Sequence, residues 1–77
     1  MPDNHLDVRD LPHPQPLLTI LEATTRLAPG ETLHVTHNRI PHLLYPRLAE
    51  RGLQCITEQT GAELVQLRIT RPGESAS

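Results

Sequence analysis

Histidine is the residue type in this 77-residue chain whose chemistry is most conspicuous, and three of its five histidines follow predicted strand ends. His13 lies between the first predicted strand and the first helix, His37 closes the second strand, and His42 opens the next segment. Because the carboxyl ends of parallel strands meet at one edge of a sheet, these imidazoles are expected to lie close together. Three histidines plus water form a common zinc site, and imidazole also binds other transition metals. The alternative is that His13 caps the helix and the other two are solvated loop residues.

Arg39 and Asn38 follow the same second strand and give that edge a second chemistry. An arginine close to the amino end of a helix can hold a phosphate or a carboxylate together with free backbone N–H groups. His13, Asn38 and Arg39 are therefore candidate ligand-binding residues. The alternative is that Arg39 is an ordinary solvated arginine.

Cys55 is the single cysteine, which excludes an intramolecular disulfide and a multi-cysteine zinc site. A lone thiol favours a reducing compartment. No basic neighbour or helix start is evident that would lower its pKa, so the sequence predicts a buried and inert thiol. The chain has no Ser-His-Asp triad in a known order, no paired-carboxylate motif and no glycine-rich phosphate loop. We therefore do not expect an enzyme.

Composition excludes several kinds of partner. The formal net charge is −2 and Tyr45 is the only aromatic residue, so the chain lacks both the positive charge and the stacking platform of a nucleic-acid-binding protein. No signal-peptide pattern and no run of membrane-spanning length appears. These features predict a cytoplasmic protein without a nucleic acid or membrane partner.

Apolar periodicity predicts the elements that position these residues. Strands are predicted over 5–9, 32–37, 53–58 and 63–70, one helix over 14–28, and a second helix that begins near Tyr45-Pro46 and ends at Gly52. His13 is the predicted N-cap of the first helix, and Thr60-Gly61 the predicted hairpin turn. The order predicts an α+β fold: a two-layer β-α-β-α-β-β sandwich, with a four-stranded mixed sheet and two helices on one face.

The same pattern predicts the domain limits and an uncovered sheet face. Residues 1–4 are a predicted flexible N-terminus, 5–71 a single domain and 72–77 a flexible tail. The face without helices is predicted to carry Arg9, His34, Thr36, Leu64, Gln66 and Arg68. Because this sheet face is uncovered, it could pack against a second copy of the chain, and a homodimer is an alternative.

Three stretches resemble the TusA/SirA sulfur-carrier family: Leu-Asp-Val-Arg at 6–9, Leu-Pro-His-Pro-Gln-Pro-Leu at 11–17 and Pro-Gly-Glu-Thr-Leu at 29–33. Leu-Tyr-Pro-Arg-Leu-Ala-Glu-Arg-Gly at 44–52 extends the resemblance, over 5–71, to a TusA-like sister group, domain-of-unknown-function family 2249. The resemblance implies the two-layer fold. In the sulfur carriers a Cys-Pro-X-Pro motif opens the helix and its thiolate, favoured at a helix amino end, carries a persulfide. His13 stands at that position here, and imidazole cannot hold a transferable sulfur.

These observations predict a small non-catalytic binding or adaptor domain of TusA-like fold with a protein partner. Members of the sister group occur together with haemerythrin-type and nitrogen-oxide metabolism domains. The resemblance therefore implies an accessory of haemerythrin-type, redox or nitrogen-oxide metabolism proteins. The alternatives are a metal-binding domain that holds zinc or another transition metal through His13, His37 and His42, and a sulfur-transfer protein that uses Cys55.

Overall fold

The described chain, residues 4–12 and 14–73 of a computed structural model, alternates strands and helices. The elements are β1 (Asn4–Asp7), α1 (Gln15–Thr24), β2 (Thr32–His37), α2 (Leu44–Glu50), β3 (Gln54–Gly61) and β4 (Leu64–Thr70). They form one four-stranded sheet in the order β1-β2-β4-β3, in which β1 and β2 are parallel and the other pairs antiparallel. The predicted element order and mixed sheet are confirmed. No helix in the described ranges is long and apolar enough to cross a membrane.

Side-chain alternation places the core on one face of the sheet. The inward residues of β2 and β4 are buried: Leu33, Val35, Val65, Leu67 and Ile69. They form one cluster with Ile20 and Leu21 of α1 and with Leu44 and Leu48 of α2. Their neighbours on the opposite face are half-buried or exposed. Both helices therefore cover the same face, and the predicted two-layer α+β arrangement is confirmed.

The predicted start of α1 is wrong by one residue. The N-cap is Pro14, whose φ of −97° and ψ of 20° lie outside the helix, and no side chain caps it. The amide of Gln15 donates to the carbonyl of Pro12 at 2.8 Å and closes the preceding turn. His13, the predicted N-cap, lies outside the described residues.

The predicted end of α1 at Ala28 is also wrong, because the amides of residues 25–27 donate to carbonyls three residues back, as in a 3₁₀ turn, and the α-helix ends at Thr24. Helix continuation would need the amide of Ala28 to donate to Thr24, but it donates to the Glu31 carboxylate at 2.8 Å. The Arg71 guanidinium donates to two carbonyls at this end, with Nε 2.7 Å from the carbonyl oxygen of Leu27 and Nη2 3.1 Å from that of Thr24, which also accepts the amide of Leu27. A cation at the carboxyl end of a helix also complements its dipole. Arg71 thus links the end of β4 to the end of α1.

Helix α2 is defined by its two ends, both as predicted. A separate turn precedes Leu44, so Pro46 falls in the first helical turn, where its missing N–H costs no hydrogen bond. Gly52 ends the helix with φ at +73°, a conformation that favours glycine. Its amide donates to Ala49, and the next amide donates to Leu48. This is the Schellman pattern of hydrogen bonds.

The β3–β4 hairpin turns two residues later than predicted. The ladder continues to the pair Gly61↔Leu64, after a register shift between Gln59 and Gly61, and residues 62–63 form the turn. The Thr60-Gly61 turn is therefore wrong, because a bulge accommodates the glycine within the strand. The predicted flexible ends, 1–4 and 72–77, lie mostly outside the described residues and stay predictions.

We expect Arg71→Gln to lower the free energy of unfolding by about 2 kcal/mol, because hydrogen bonds from a charged, half-buried donor to two carbonyls are lost. Urea unfolding followed by circular dichroism measures the effect. Arg47→Gln, on the exposed side of α2, is the matched control and should change stability by less than about 0.5 kcal/mol. Equal stability of the two variants would contradict the capping role.

Candidate functional site

A cleft of about 290 Å³ opens at the edge of the sheet where β1 and β2 both end. It lies between the segment after β1 and the start of α1 on one side, and the loop from β2 to α2 on the other. Most of its wall is apolar and includes Leu11, Leu17, Ile20, Ile40, Leu43 and Leu44. The predicted site residues His37, Asn38, Arg39 and His42 all line it. His13 lies outside the described residues.

His37 forms the buried polar part of the cleft, with only 5 % of its surface exposed. Its Nδ1 accepts the backbone N–H of Asn38 at 2.9 Å and that of Arg39 at 3.3 Å, and the side-chain oxygen of Asn38 lies 3.2 Å away. A backbone amide can only donate, so these two contacts place the lone pair, not a proton, on Nδ1. The neutral ring then carries its hydrogen on Nε2.

The surroundings of His37 keep its ring neutral. Burial lowers the pKa of His37 below its ordinary value, the hydrogen bond that a protonated Nδ1 would donate to the Asn38 side-chain oxygen opposes this, and the nearby charge of Arg39 lowers the pKa further. His37 therefore contributes a neutral polar group, and Arg39 supplies the fixed positive charge.

The three-histidine metal site stays a prediction. His37 and His42 share the cleft, but the third member, His13, is not described. Within residues 4–12 and 14–73, no group of three histidine, cysteine, aspartate or glutamate side chains is placed to hold a metal ion. His37 could ligate through Nε2 only if its proton moved to Nδ1, and both backbone hydrogen bonds would then be lost.

The amino end of α1 offers few of the free amides that the anion hypothesis needs. Pro14 and Pro16 have no N–H, and the amide of Gln15 is bonded to Pro12. Anion binding here would therefore depend on Arg39. Its side chain is exposed and forms no salt bridge with any described residue, and no described carboxylate lines the cleft.

Two exposed leucines form the rim of the cleft, and sequence reasoning missed both. Leu11 is 38 % exposed and Leu43 is 66 % exposed. Each lies in a loop, outside any periodic pattern, so no sequence signal separated them from ordinary surface residues. Only the fold shows that they face one cavity.

Cys55 is not part of the cleft lining. Its side chain is half-buried on β3, with Sγ 4.0 Å from the hydroxyl of Thr57, which is in turn 2.6 Å from the Tyr45 hydroxyl. Burial raises the pKa of the Cys55 thiol, and the contact with Thr57 opposes this. The thiol form therefore dominates at neutral pH, which is unfavourable for a sulfur nucleophile.

The open face carries a histidine pair that sequence reasoning also missed. The rings of His5 and His34 stack with centroids 4.9 Å apart and planes 18° from parallel. The two residues are direct neighbours in the register of β1 against β2. Both histidines alternate with the inward-facing apolar residues of their predicted strands. This alternation was the available signal that they share the open face.

Comparison with known proteins identifies one family. Residues 5–71 match the family described as "Uncharacterized conserved protein (DUF2249)". No curated protein and no solved structure gives a significant match. The TusA/SirA resemblance therefore stays an expectation from the sequence.

We expect the free energy of unfolding to fall as the pH drops below about 6.5, and His37 to cause part of this fall. The unfolded chain protonates this histidine near its ordinary pKa, whereas the folded chain resists protonation until a lower pH. The contribution of the neutral His37 ring to the free energy of unfolding is thus complete above the pKa of His37 in the unfolded chain. It is lost as the pH falls toward the pKa of His37 in the folded chain. Urea unfolding at pH 7.5, 6.5 and 5.0 measures it.

His37→Asn should make this pH dependence shallower, because an amide oxygen can still accept the two backbone hydrogen bonds but does not titrate. His42→Asn, exposed on the same cleft, is the matched control and should keep the wild-type slope. An unchanged slope in His37→Asn would contradict the assignment of the buried neutral ring.

Proposed function

Because the chain belongs to the DUF2249 family, whose description names no activity, we propose a function from the site itself: a small non-catalytic binding or adaptor domain. The cleft at the ends of β1 and β2 carries this proposal. Two exposed leucines border it, and Arg39 brings a positive charge that no described carboxylate neutralises. Ligand sites commonly combine apolar walls with a few polar groups in this way.

The cleft chemistry favours a partner segment that presents an apolar side chain beside a carboxylate. Leu11 and Leu43 supply apolar contact at the rim, and Arg39 is the cation that an acidic group would meet. Asn38 lies next to Arg39, and its side chain already faces the His37 ring. The leucine contacts would supply most of the affinity, and the arginine would select for charge.

The same residues argue against catalysis. The His37 ring has its Nδ1 occupied by two backbone amides, and the Cys55 thiol has a raised pKa. No described carboxylate lines the cleft to form an acid–base pair with a histidine. Residue 13 is histidine, so persulfide transfer at that position has no sulfur atom.

The physiological setting of this proposal comes from the sequence resemblance. We place the domain as an accessory of a redox or nitrogen-oxide metabolism protein, which would be the partner. A lone cysteine fits the reducing conditions of the cytoplasm.

We expect N-acetyl-leucine to bind the cleft of the uniformly ¹⁵N-labelled protein with millimolar affinity. It carries one apolar side chain and one carboxylate, the two groups that the site is proposed to recognise. In a heteronuclear NMR titration, the largest shift changes should fall on Leu11 and on residues 38–40 and 42–44. N-acetyl-leucinamide, which lacks the charge, should bind about two- to fivefold more weakly, as expected for an exposed ion pair.

Variants separate the two contacts. Arg39→Gln should remove the preference for the carboxylate without abolishing binding, whereas Leu43→Ser should weaken both ligands equally. Leu18→Ser, an exposed leucine of α1 outside the cleft lining, is the control. Shift changes confined to the open sheet face, or equal binding to all three variants and the wild type, would contradict the proposed site.

Metal binding through His13, His37 and His42 is a second candidate, because two of these residues share the cleft. Calorimetric titration of metal-free protein with zinc or copper tests it, with His13→Ala and His42→Ala as variants. Dissociation constants below about micromolar that both variants weaken would favour this candidate over an apolar ligand. Weaker or unchanged binding would exclude it.

A further inference from the structure

The two outer strands of the sheet, β1 and β3, differ in length and in charge. β1 is only four residues long, and the Arg9 guanidinium beside Asp7, with Nη2 2.8 Å from Oδ2, holds the pKa of that carboxyl at about 2. Short length and edge charges discourage pairing with another strand. β3 is eight residues long, contains no proline and carries one charge, that of Glu58. Of the two edges, β3 is the one open to a further strand.

The outer side of β3 is unpaired within the described chain. β3 is hydrogen-bonded to β4 alone, and no backbone hydrogen bond joins residues 54–61 to a described loop or helix. Ile56, near the middle of this strand, is 58 % exposed. A long edge with free backbone groups and an exposed β-branched residue is a template for strand addition.

Symmetry restricts how a second copy can add to this edge. Two antiparallel β3 strands in one continuous sheet are related by a two-fold axis normal to the sheet, so one residue faces its own copy. An axis at Glu58 would oppose two like charges, and an axis at Thr57 would set Ile56 against a glutamate. An axis at Ile56 pairs the exposed isoleucines with each other. It also keeps the pairing clear of the bulge that begins after Gln59.

We propose that β3 is a homodimer interface in which Ile56 faces Ile56 of a second copy across a two-fold axis. Gln54 then faces Glu58 of the other chain, and Cys55 faces Thr57. The two sheets join into one of eight strands, with both helical layers on the same side. The interface lies on the edge strand and not on the cleft lining, so the dimer would leave the proposed ligand site open.

Molar mass as a function of concentration tests the dimer. Light scattering coupled to size exclusion, from about 10 μM to 1 mM, should show a rise from the 8.6 kDa of one chain toward twice that value. Ile56→Lys should weaken association at least about tenfold. Leu18→Lys, which places the same charge on an α1 residue that is 53 % exposed, should leave it unchanged. A wild-type monomer throughout, or equal association of both variants, would overturn the proposal.

Disulfide trapping tests the register in chains that carry Cys55→Ser, with folding checked by circular dichroism. Ile56→Cys should give a covalent dimer on mild oxidation, whereas Gln54→Cys and Glu58→Cys should not do so separately but should cross-link when mixed. These pairings satisfy the Cα separations of both strand pairing and disulfides. Preferential trapping at Thr57→Cys would overturn the proposed register. A chain that stays monomeric and binds only extended peptides along β3 would overturn the dimer.

Discussion

The parallel pairing of β1 with β2 is the constraint on which the rest of the molecule depends. The register sets Leu6 beside Val35 and continues past the strand, where the amide of Val8 donates to Thr36 at 3.0 Å. Because the two strands run in the same direction, the chain leaves both of them at one edge. The two loops that follow become the walls of the cleft, and α1 must cross the sheet to connect them.

The polarity of the cleft follows from how one loop satisfies its backbone. Two successive amides after β2 point at the Nδ1 atom of His37 and use the imidazole as an acceptor. This arrangement buries a neutral ring and leaves Arg39 as the charged group at the surface. At the opposite wall, prolines remove the amides that would otherwise make the helix start an anion site. This polarity is why we propose an apolar ligand with one negative group.

Much of the fold could be predicted from the sequence, because apolar residues alternate around Leu33 and Val35, as in a strand, and Leu44 and Leu48 lie four residues apart, as on one side of a helix. The errors fell at the ends of α1 and at the β3–β4 turn. At the end of α1, the carbonyls accept from Arg71, which lies 47 residues beyond Thr24 in the chain and has no local signal. The hairpin turn lies two residues later than predicted because of a bulge for which the sequence has no signal.

The candidate site could be predicted in part. Topology alone placed His37, Asn38, Arg39 and His42 at one edge, and the structure brings these four to one cleft. The exposed leucines and the acceptor role of the imidazole could not be predicted, because both depend on loop conformation. The family resemblance identified the chain's relatives over 5–71 but supplied no ligand.

We propose that the cleft between these loops receives an apolar, acidic group. Intermolecular nuclear Overhauser effects in the complex with N-acetyl-leucine test it most directly. The account predicts contacts from the ligand methyl groups to the methyl groups of Leu11 and Leu43. Contacts that appear only on the open face, to His5, His34 or Ile56, would contradict it.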